Sequence, residues 1–364
     1  MKSYKNLWDG FLSEENIRQA IRKSSLGKRD RKTVKVVLDD IDGSVKRIKQ
    51  YAENFRNNKH KPKQIYDGIV RKVRYIIVPP YMEQVVHHMV VRTLMPMFTK
   101  GMYEHSYGSI PGRGGHKGKK IIQKWIAHGG ENIKYCLKMD IKKYFESIPH
   151  DILKQKLAKK IKDERFLKIV FEIIDVIDHG LPLGFYTSQW LANWYLQDLD
   201  HYIKEQLKAV YYMRYMDDMV IFGANKRKLH RMKICIDEYL ATLGLKMKEN
   251  WQIFRFDYIK DDKQRGRHLD FMGFRFYRNR VTLRRSIMLR ATRKAKKISK
   301  KDKTTIYDCR QMLSYLGWIK STNVYGMYLK WIKPYVDFGT YKERISFYQR
   351  RINQCGIKTA TATA

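Results

Sequence analysis

Long apolar runs are missing from this chain. None exceeds a few residues, so a transmembrane helix of ~20 apolar residues has nowhere to form. The opening residues, Met1 to Asn6, lack the apolar block of a signal peptide. Cysteine is scarce: Cys136, Cys235, Cys309 and Cys355 are scattered and form no CxxC pair, which excludes a zinc knuckle and a disulfide framework. No repeat period is present, and only the tail from Lys358 to Ala364 is of low complexity. These absences read as a soluble, cytoplasmic protein without a membrane partner. Acids are also few, 36 against 75 Lys and Arg, for a net charge of +39 in 364 residues. Such a surplus opposes compaction unless a polyanion matches it. Nucleic acid is the first expectation and an anionic membrane the second. Hydrophobic residues make up 43%, ample for packed cores and against wholesale disorder.

Apolar residues recur at helical spacing from Thr33 to Phe55, and Lys59 to Lys63 reads as a basic loop. Val70 to Val78 reads as a β arm stopped by Pro79 and Pro80; Tyr81 to Phe98 reads as a helix ending near Pro96. Tyr135 to Asp140 alternates as a strand does, and a helix follows from Asp151. Ser188 is placed to cap a longer helix. Val210 to Tyr215 and Met219 to Phe222 read as strands around an Asp-Asp turn, and Cys235 to Leu243 as a helix ending at Gly244. Leu269 to Tyr277 with Arg280 to Leu283 reads as a last hairpin. From Arg275 to Lys303 thirteen basic residues face one acid, Asp302, so a domain boundary is expected near Arg284. An anionic partner is expected there too; with six to ten phosphate contacts, affinity should fall roughly 10³–10⁵-fold between 50 and 200 mM salt.

In so basic a chain, an acid held inside an apolar strand needs an explanation, because burying an unpaired charge is costly. Asp140 ends one such strand, and Asp217 and Asp218 sit between two others. Each has an ordinary reading, as a helix N-cap or as hairpin chemistry. If the strands share a sheet, the three carboxylates converge at its end. Hard oxygen ligands of that kind suit Mg²⁺, and two ions ~3.5–4 Å apart serve in-line displacement at phosphorus.

Tyr215-Met216-Asp217-Asp218, preceded by Lys138 to Phe145, resembles the palm of reverse transcriptases. Arg74 to Pro79 with Val85 to His88, and then Ser106 to Arg113, are similar to fingers blocks of bacterial group II-intron-like enzymes. Gly180 to Gly184 with Ser188 and Gln189, Leu243 to Lys246, and Phe271 to Phe274 match the remaining palm blocks in order. The resemblance spans Val70 to Phe276. It implies an α+β right-hand polymerase: an N-terminal extension at 1–30, fingers at 31–134 (with part of an insertion at 160–180), a palm of antiparallel sheet and helices at 135–283, a helical thumb at 284–350 and a flexible tail at 351–364. No room is expected for an RNase H or endonuclease domain.

The resemblance further implies an RNA-directed DNA polymerase using two Mg²⁺ ions, with Mn²⁺ able to substitute. Asp140, Asp217 and Asp218 would be the catalytic metal ligands, helped by the Ile141 carbonyl. Lys72 and Arg74 would meet the incoming triphosphate, Phe145 would exclude a 2′ hydroxyl, and Gly184 would admit the nascent pair beside Leu183 and Gln189. Lys246 would give a proton to pyrophosphate, with Lys248 as its rival. Tyr215, Met216, Met272 and Gly273 would touch the primer end, and Arg113, Lys117, Arg290, Arg293 and Lys297 the template and duplex phosphates. Leu183, where the retroviral pattern has Gln, together with Gly184, Ser188 and Gln189, resembles diversity-generating retroelement enzymes, which copy adenines unfaithfully. Retron-type and antiviral-defence enzymes, and a non-catalytic maturase-like RNA-binding protein, are the alternatives. The implied partners are a structured non-coding RNA template, the cDNA product, deoxynucleotides and a small accessory protein, in a bacterium or phage-infected cell.

Two further features have competing readings. His87 and His88 are adjacent and cannot share a helix face, so packing is expected rather than metal binding. Gly112 to Gly118 lacks Walker spacing, which leaves a clamp on template phosphates. Of Tyr315, Trp318, Tyr325, Tyr328 and Trp331, more than half are expected in the thumb core.

Overall fold

Residues whose side chains point alternately into two apolar layers need a sheet covered on both sides, and the segment from Tyr135 is of this kind. In the computed structural model, which describes residues 3–56, 60–67 and 72–361 (side chains of Asp67, Lys72 and 352–361 excepted), Cys136, Leu137 and Met139 are all buried. Lys59, Val70 and the last three residues of the tail lie outside the described residues. Tyr135–Met139 is an inner strand of a sheet ordered Tyr211–Tyr215, Asp218–Gly223, Tyr135–Met139, Gln252–Arg255. Its register with the Asp218–Gly223 strand is antiparallel, from Tyr135 opposite Gly223 to Met139 opposite Met219.

The chain divides into two compact units. The first comprises residues 1–67, 73–118 and 131–253; the second comprises 68–72, 119–130 and 254–364. In the first, the helices Glu14–Ser24 and Tyr186–Tyr195 both pack on Tyr81–Thr99. Asn16 fixes the first contact, its Nδ2 donating to the Phe11 carbonyl at 2.9 Å while its Oδ1 accepts from Arg92 Nε at 3.0 Å. The residues expected as an N-terminal extension are thus built into this core. The helix Glu164–Ile174 joins it through Phe166, edge-on to Phe11 at 5.2 Å.

Several expected elements have different bounds. The periodic stretch after Thr33 is two helices, Lys32–Asp39 and Ile41–Glu53, because Asp40 leaves helical geometry and caps the second with its carboxylate on the Gly43 amide. The helix from Tyr81 continues a turn past Pro96 to Thr99, closed by the Lys100 N–H donating to the Pro96 carbonyl. Phe185, not Ser188, is the N-cap of Tyr186–Tyr195, and Ser188 is buried within the first turn. The helix expected from Cys235 starts at Lys226, capped by Asn225. At the Asp-Asp turn the central residues are Met216 and Asp217; Asp218 already pairs with Tyr215.

The second unit is built on a three-stranded antiparallel meander, Leu269–Phe271, Phe274–Phe276 and Val281–Leu283, rather than one hairpin. Met272 and Gly273, at φ 52° and 84°, supply the tight turn that splits the first arm. A Cβ on Gly273 would stand 2.8 Å from Ile287 and 3.0 Å from Trp318, so meander and helices share one core. This is why the meander groups with the helices Arg285–Ser299, Ile306–Lys320, Tyr325–Trp331 and Phe338–Thr361, and why the division falls after Ile253 and not at Arg284. The last helix runs past the expected start of the tail at 351. None of Tyr315, Trp318, Tyr325, Tyr328 and Trp331 is buried, against the expectation that most would be core.

Candidate active site

Extending the register of the two inner strands by one pair sets Asp140 beside Asp218, with Asp217 in the adjoining turn. The three acids from distant parts of the chain therefore meet at one sheet end. Burial first, and then the neighbouring Asp140 charge, push the Asp217 carboxyl up to about 7; a hydrogen bond from the protonated Asp217 to Asp140 and the Asp218 charge act in the same direction. Lys248 shifts the same way, which for an ammonium favours the charged form. Its ammonium is 3.0 Å from Asp140 Oδ2, and that hydrogen bond, with the pull of all three acids, raises its pKa.

Among the described residues no three His, Cys, Asp or Glu side chains close into a metal cage by themselves. A divalent ion of Mg²⁺ type keeps several waters and takes one or two carboxylates with substrate phosphates. The donor set is right for it: hard oxygens, mutual repulsion that a cation relieves, and an ammonium already drawn to the place. Ile141 bridges Met247, and the bonds run through the flanking residues, Lys142 N–H to the Lys246 carbonyl and Lys248 N–H to the Asp140 carbonyl. The two lysines lie in different surroundings: Lys248 is 3.0 Å from Asp140, while Lys246 is exposed beside Asp237 and Glu238 in a separate depression.

Phe145 is half-buried on the short helix Tyr144–Ser147 after the first acid. Its carbonyl accepts the Leu181 N–H at 2.6 Å, and a Cβ on Gly180 would stand 2.4 Å from that oxygen. At the other end of the segment the Leu183 carbonyl accepts Ile77 N–H at 2.7 Å, and a Cβ on Gly184 (φ 109°) would meet the Ile77 carbonyl at 2.3 Å. Gly180 to Gly184 thus ties Phe145 to the end of the Lys72–Ile76 strand that carries Arg74. At Gly184 the close approach is that of the chain's own Ile77 backbone. Gln189 is exposed one turn on. The Lys72 side chain lies outside the described residues.

Arg113 is used differently from the expectation. Its Nη1 donates to the carbonyls of Tyr103, Glu104 and Ser106, which holds the Ser106 loop rather than a phosphate. Lys117 is exposed. His87 is buried against Phe185 with its Nδ1 2.8 Å from the Thr187 hydroxyl, and His88 stacks on Tyr186, so both pack as expected. In the second unit Met272 and Gly273 form the meander turn. Arg290, Arg293 and Lys297 share the exposed side of Arg285–Ser299, opposite Ile287, Ala291 and Ile298. The basic run is less unmatched than its own sequence implies: Asp308 pairs with Lys294 and Lys301, and Asp270 with Arg275 and Arg284.

The sequence reading missed the group under the catalytic turn. Arg214, 1% exposed in the middle of its strand, forks onto Asp200 through Nε at 2.8 Å and Nη2 at 2.6 Å. Its Nη1 donates to the Met216 carbonyl at 3.0 Å and to Asn193 Oδ1 at 3.3 Å. Tyr212 completes the carboxylate's partners at 2.7 Å. Met216 is left-handed at φ 56°, and a Cβ on Gly108 would touch it at 2.4 Å. The same argument that singled out the three acids, a charge inside an apolar strand, would have found Arg214.

A palm sheet flanked by helices, with acids gathered at the end of its two inner strands, defines an α+β polymerase. Residues 58–276 match the family model for reverse transcriptase (RNA-dependent DNA polymerase), and the chain belongs to that family. It is 26% identical over 152 residues to the Retron Ec73 reverse transcriptase of Escherichia coli, covering 38% of this chain and 48% of that one. It is 24% identical over 239 residues to the group II intron-encoded protein LtrA of Lactococcus lactis subsp. cremoris, covering 60% and 39%. The chain spans less than half the length of these relatives. Among solved structures, apo telomerase from Candida tropicalis is similar with a TM-score of 0.47 at 12% identity, over 62% of this chain and 55% of that one. No helix among the described residues is long and apolar enough to cross a membrane.

Proposed function

We propose that this chain is an RNA-directed DNA polymerase that extends a primer on a structured RNA template, in the cytoplasm of a bacterium or phage-infected cell. The observation that carries it is the gathering of Asp140, Asp217 and Asp218 at one sheet end, with Asp217 buried against Asp140. Asp140, Asp217 and Asp218 would hold two Mg²⁺ ions. Such ions, when bound, activate a 3′ hydroxyl and neutralise departing pyrophosphate. Arg74, joined by Lys72, grips the triphosphate in a charge-assisted fork. Phe145 lies under the deoxyribose, its backbone fixed by Leu181, and leaves no room for a 2′ hydroxyl. Lys248, rather than Lys246, is the proton source for pyrophosphate. Tyr215, Met216, Met272 and Gly273 attend the primer end; Lys117, Arg290, Arg293 and Lys297 take phosphates. Partners are the RNA, its cDNA and deoxynucleotides, with a small accessory protein.

The test is Mg²⁺-dependent incorporation of dTTP on poly(rA)–oligo(dT). Asp217→Asn, nearly isosteric, should lower extension by at least ~10³-fold, the scale of losing a group aimed at the reacting charge, with RNA affinity kept. Extension by the variant at the parent rate would remove the assignment, and no incorporation by the parent chain would favour the non-catalytic RNA-binding alternative.

A further inference from the structure

Apart from the carboxylates, the first unit encloses a cavity of about 670 Å³ that none of the assigned site residues lines. Its floor is apolar: Met97, Ile152, Trp194 and Leu243. Its rim is cationic: Lys100, Lys159 and Lys160. Among the described residues these three ammonium groups have no carboxylate within ion-pair distance, whereas Lys156 in the wall is neutralised by Asp198 at 2.9 Å and lies over the Trp194 ring.

Lysines at helix ends commonly serve the last carbonyls. Here neighbours already serve the chain ends around the cavity. Gln197 Nε2 donates to the Lys100 carbonyl at 2.7 Å, His201 Nε2 is 2.7 Å from the Gly101 carbonyl, and Tyr4 N–H donates to the Lys160 carbonyl at 2.8 Å. The rim charges are left for an anion.

We propose that this cavity takes one unpaired nucleotide of an RNA, base against the apolar floor and phosphate on the lysine rim. The volume lies within the range of small-ligand sites, roughly 300–1,000 Å³, which admits a nucleotide and not a folded helix. A chain of +39 net charge makes a polyanion the favoured source of that phosphate over an acidic peptide. The site would anchor RNA away from the reacting end, and it is independent of whether the acids turn over.

The test uses the full chain and a single-stranded uridine-rich RNA carrying 4-thiouridine. Crosslinks are expected in peptides containing Ile152 or Trp194. The triple variant Lys100→Glu, Lys159→Glu, Lys160→Glu should bind that RNA about 10-fold or more weaker, with a salt slope smaller by about 0.7, the contribution of one phosphate contact on a single strand. Extension of saturating poly(rA)–oligo(dT) should be kept. The control Lys226→Glu, Arg227→Glu, Lys228→Glu makes the same charge change on exposed residues elsewhere. An equal loss in the control, or crosslinks that avoid both peptides, would reduce the effect to general charge and overturn the site. Unchanged RNA affinity in the triple variant would overturn it also and leave the cavity to an acidic peptide. A parent chain that crosslinks there without extending primers would sink the polymerase reading and not this one.

Discussion

Removing the Arg214 guanidinium separates stability from catalysis in this palm. Burial alone would pull the Arg214 pKa down, yet the Asp200 charge and hydrogen bond outweigh it and hold the guanidinium charged. In Arg214→Met, Asp200 remains 1% exposed with Tyr212 as its surviving partner. Breaking such a pair from one side costs about 3–5 kcal/mol, a fall in Tm on the order of 10 °C. The double variant Arg214→Met, Asp200→Leu removes both charges and should recover most of that loss, because an apolar replacement of both partners is close to neutral. Activity should not recover. In both variants the Met216 carbonyl loses its Nη1 donor, and a left-handed Met216, strained by about 1–3 kcal/mol, is no longer held. A shift of about 1 Å in Asp217 and Asp218 costs roughly 10²-fold in rate. Thermal unfolding paired with single-nucleotide extension reads both quantities. The expected double variant is stable and about 100-fold slow in kcat, with primer–template affinity kept. One that regains stability and rate together would refute the claim that Arg214 positions the turn.

Three other substitutions probe separate parts of the molecule. Phe145→Ala should raise ribonucleotide relative to deoxynucleotide incorporation at least several-fold; an unchanged ratio in competition assays would put the gate elsewhere. Gly184→Ala should lower stability by about 2 kcal/mol or more, since a strained φ and a backbone oxygen at 2.3 Å admit no Cβ without moving Ile77; an unaltered Tm would count against that contact. Asp308 is buried, and although burial alone would raise its pKa, hydrogen bonds from Lys294, Lys301 and Thr305 hold it well below the usual carboxylate range. A depressed folded pKa contributes stability above the unfolded value, roughly 3.9, that is lost as pH falls from there through the folded pKa. Asp308→Asn should therefore cost about 2 kcal/mol at pH 7 and flatten acid unfolding of this part below pH 4; equal acid sensitivity in both proteins would show that Asp308 contributes none of it.

What was legible in the sequence was whatever a local pattern determines. Strand alternation at Tyr135 and the apolar residues after Met219 located the palm, because a strand covered on both faces has few sequence solutions. Boundaries were less legible where capping competed with periodicity: Asp40 ends one helix and starts another inside an unbroken apolar rhythm, and Met272 with Gly273 divides a run that reads as one strand. The unit division was illegible, since it depends on Trp318 and Ile287 closing on a glycine far upstream. Composition misled at Arg275 to Lys303, because the acids that answer it, Asp270 and Asp308, lie just outside the run, one on either side.

The candidate site shows the same limit more sharply. Two Asp-Asp dipeptides occur in strand-turn-strand settings, and the sequence distinguishes them only by what flanks them. Asp261 and Asp262 form the exposed turn between Tyr258–Lys260 and Lys263–Arg265, both left-handed at φ 52° and 55°, which is hairpin chemistry and nothing more. Asp217 and Asp218 sit where the turn falls on Met216 instead, so one carboxylate is held in the bend and the next begins a strand beside Asp140. The difference is set by Arg214, three residues before Asp217, whose guanidinium fixes the Met216 carbonyl and thereby the register of the turn. An acid pair becomes a metal-binding candidate here because a buried cation on the neighbouring strand denies it the ordinary turn, and the same cation is too fully engaged with Asp200 and Asn193 to neutralise it.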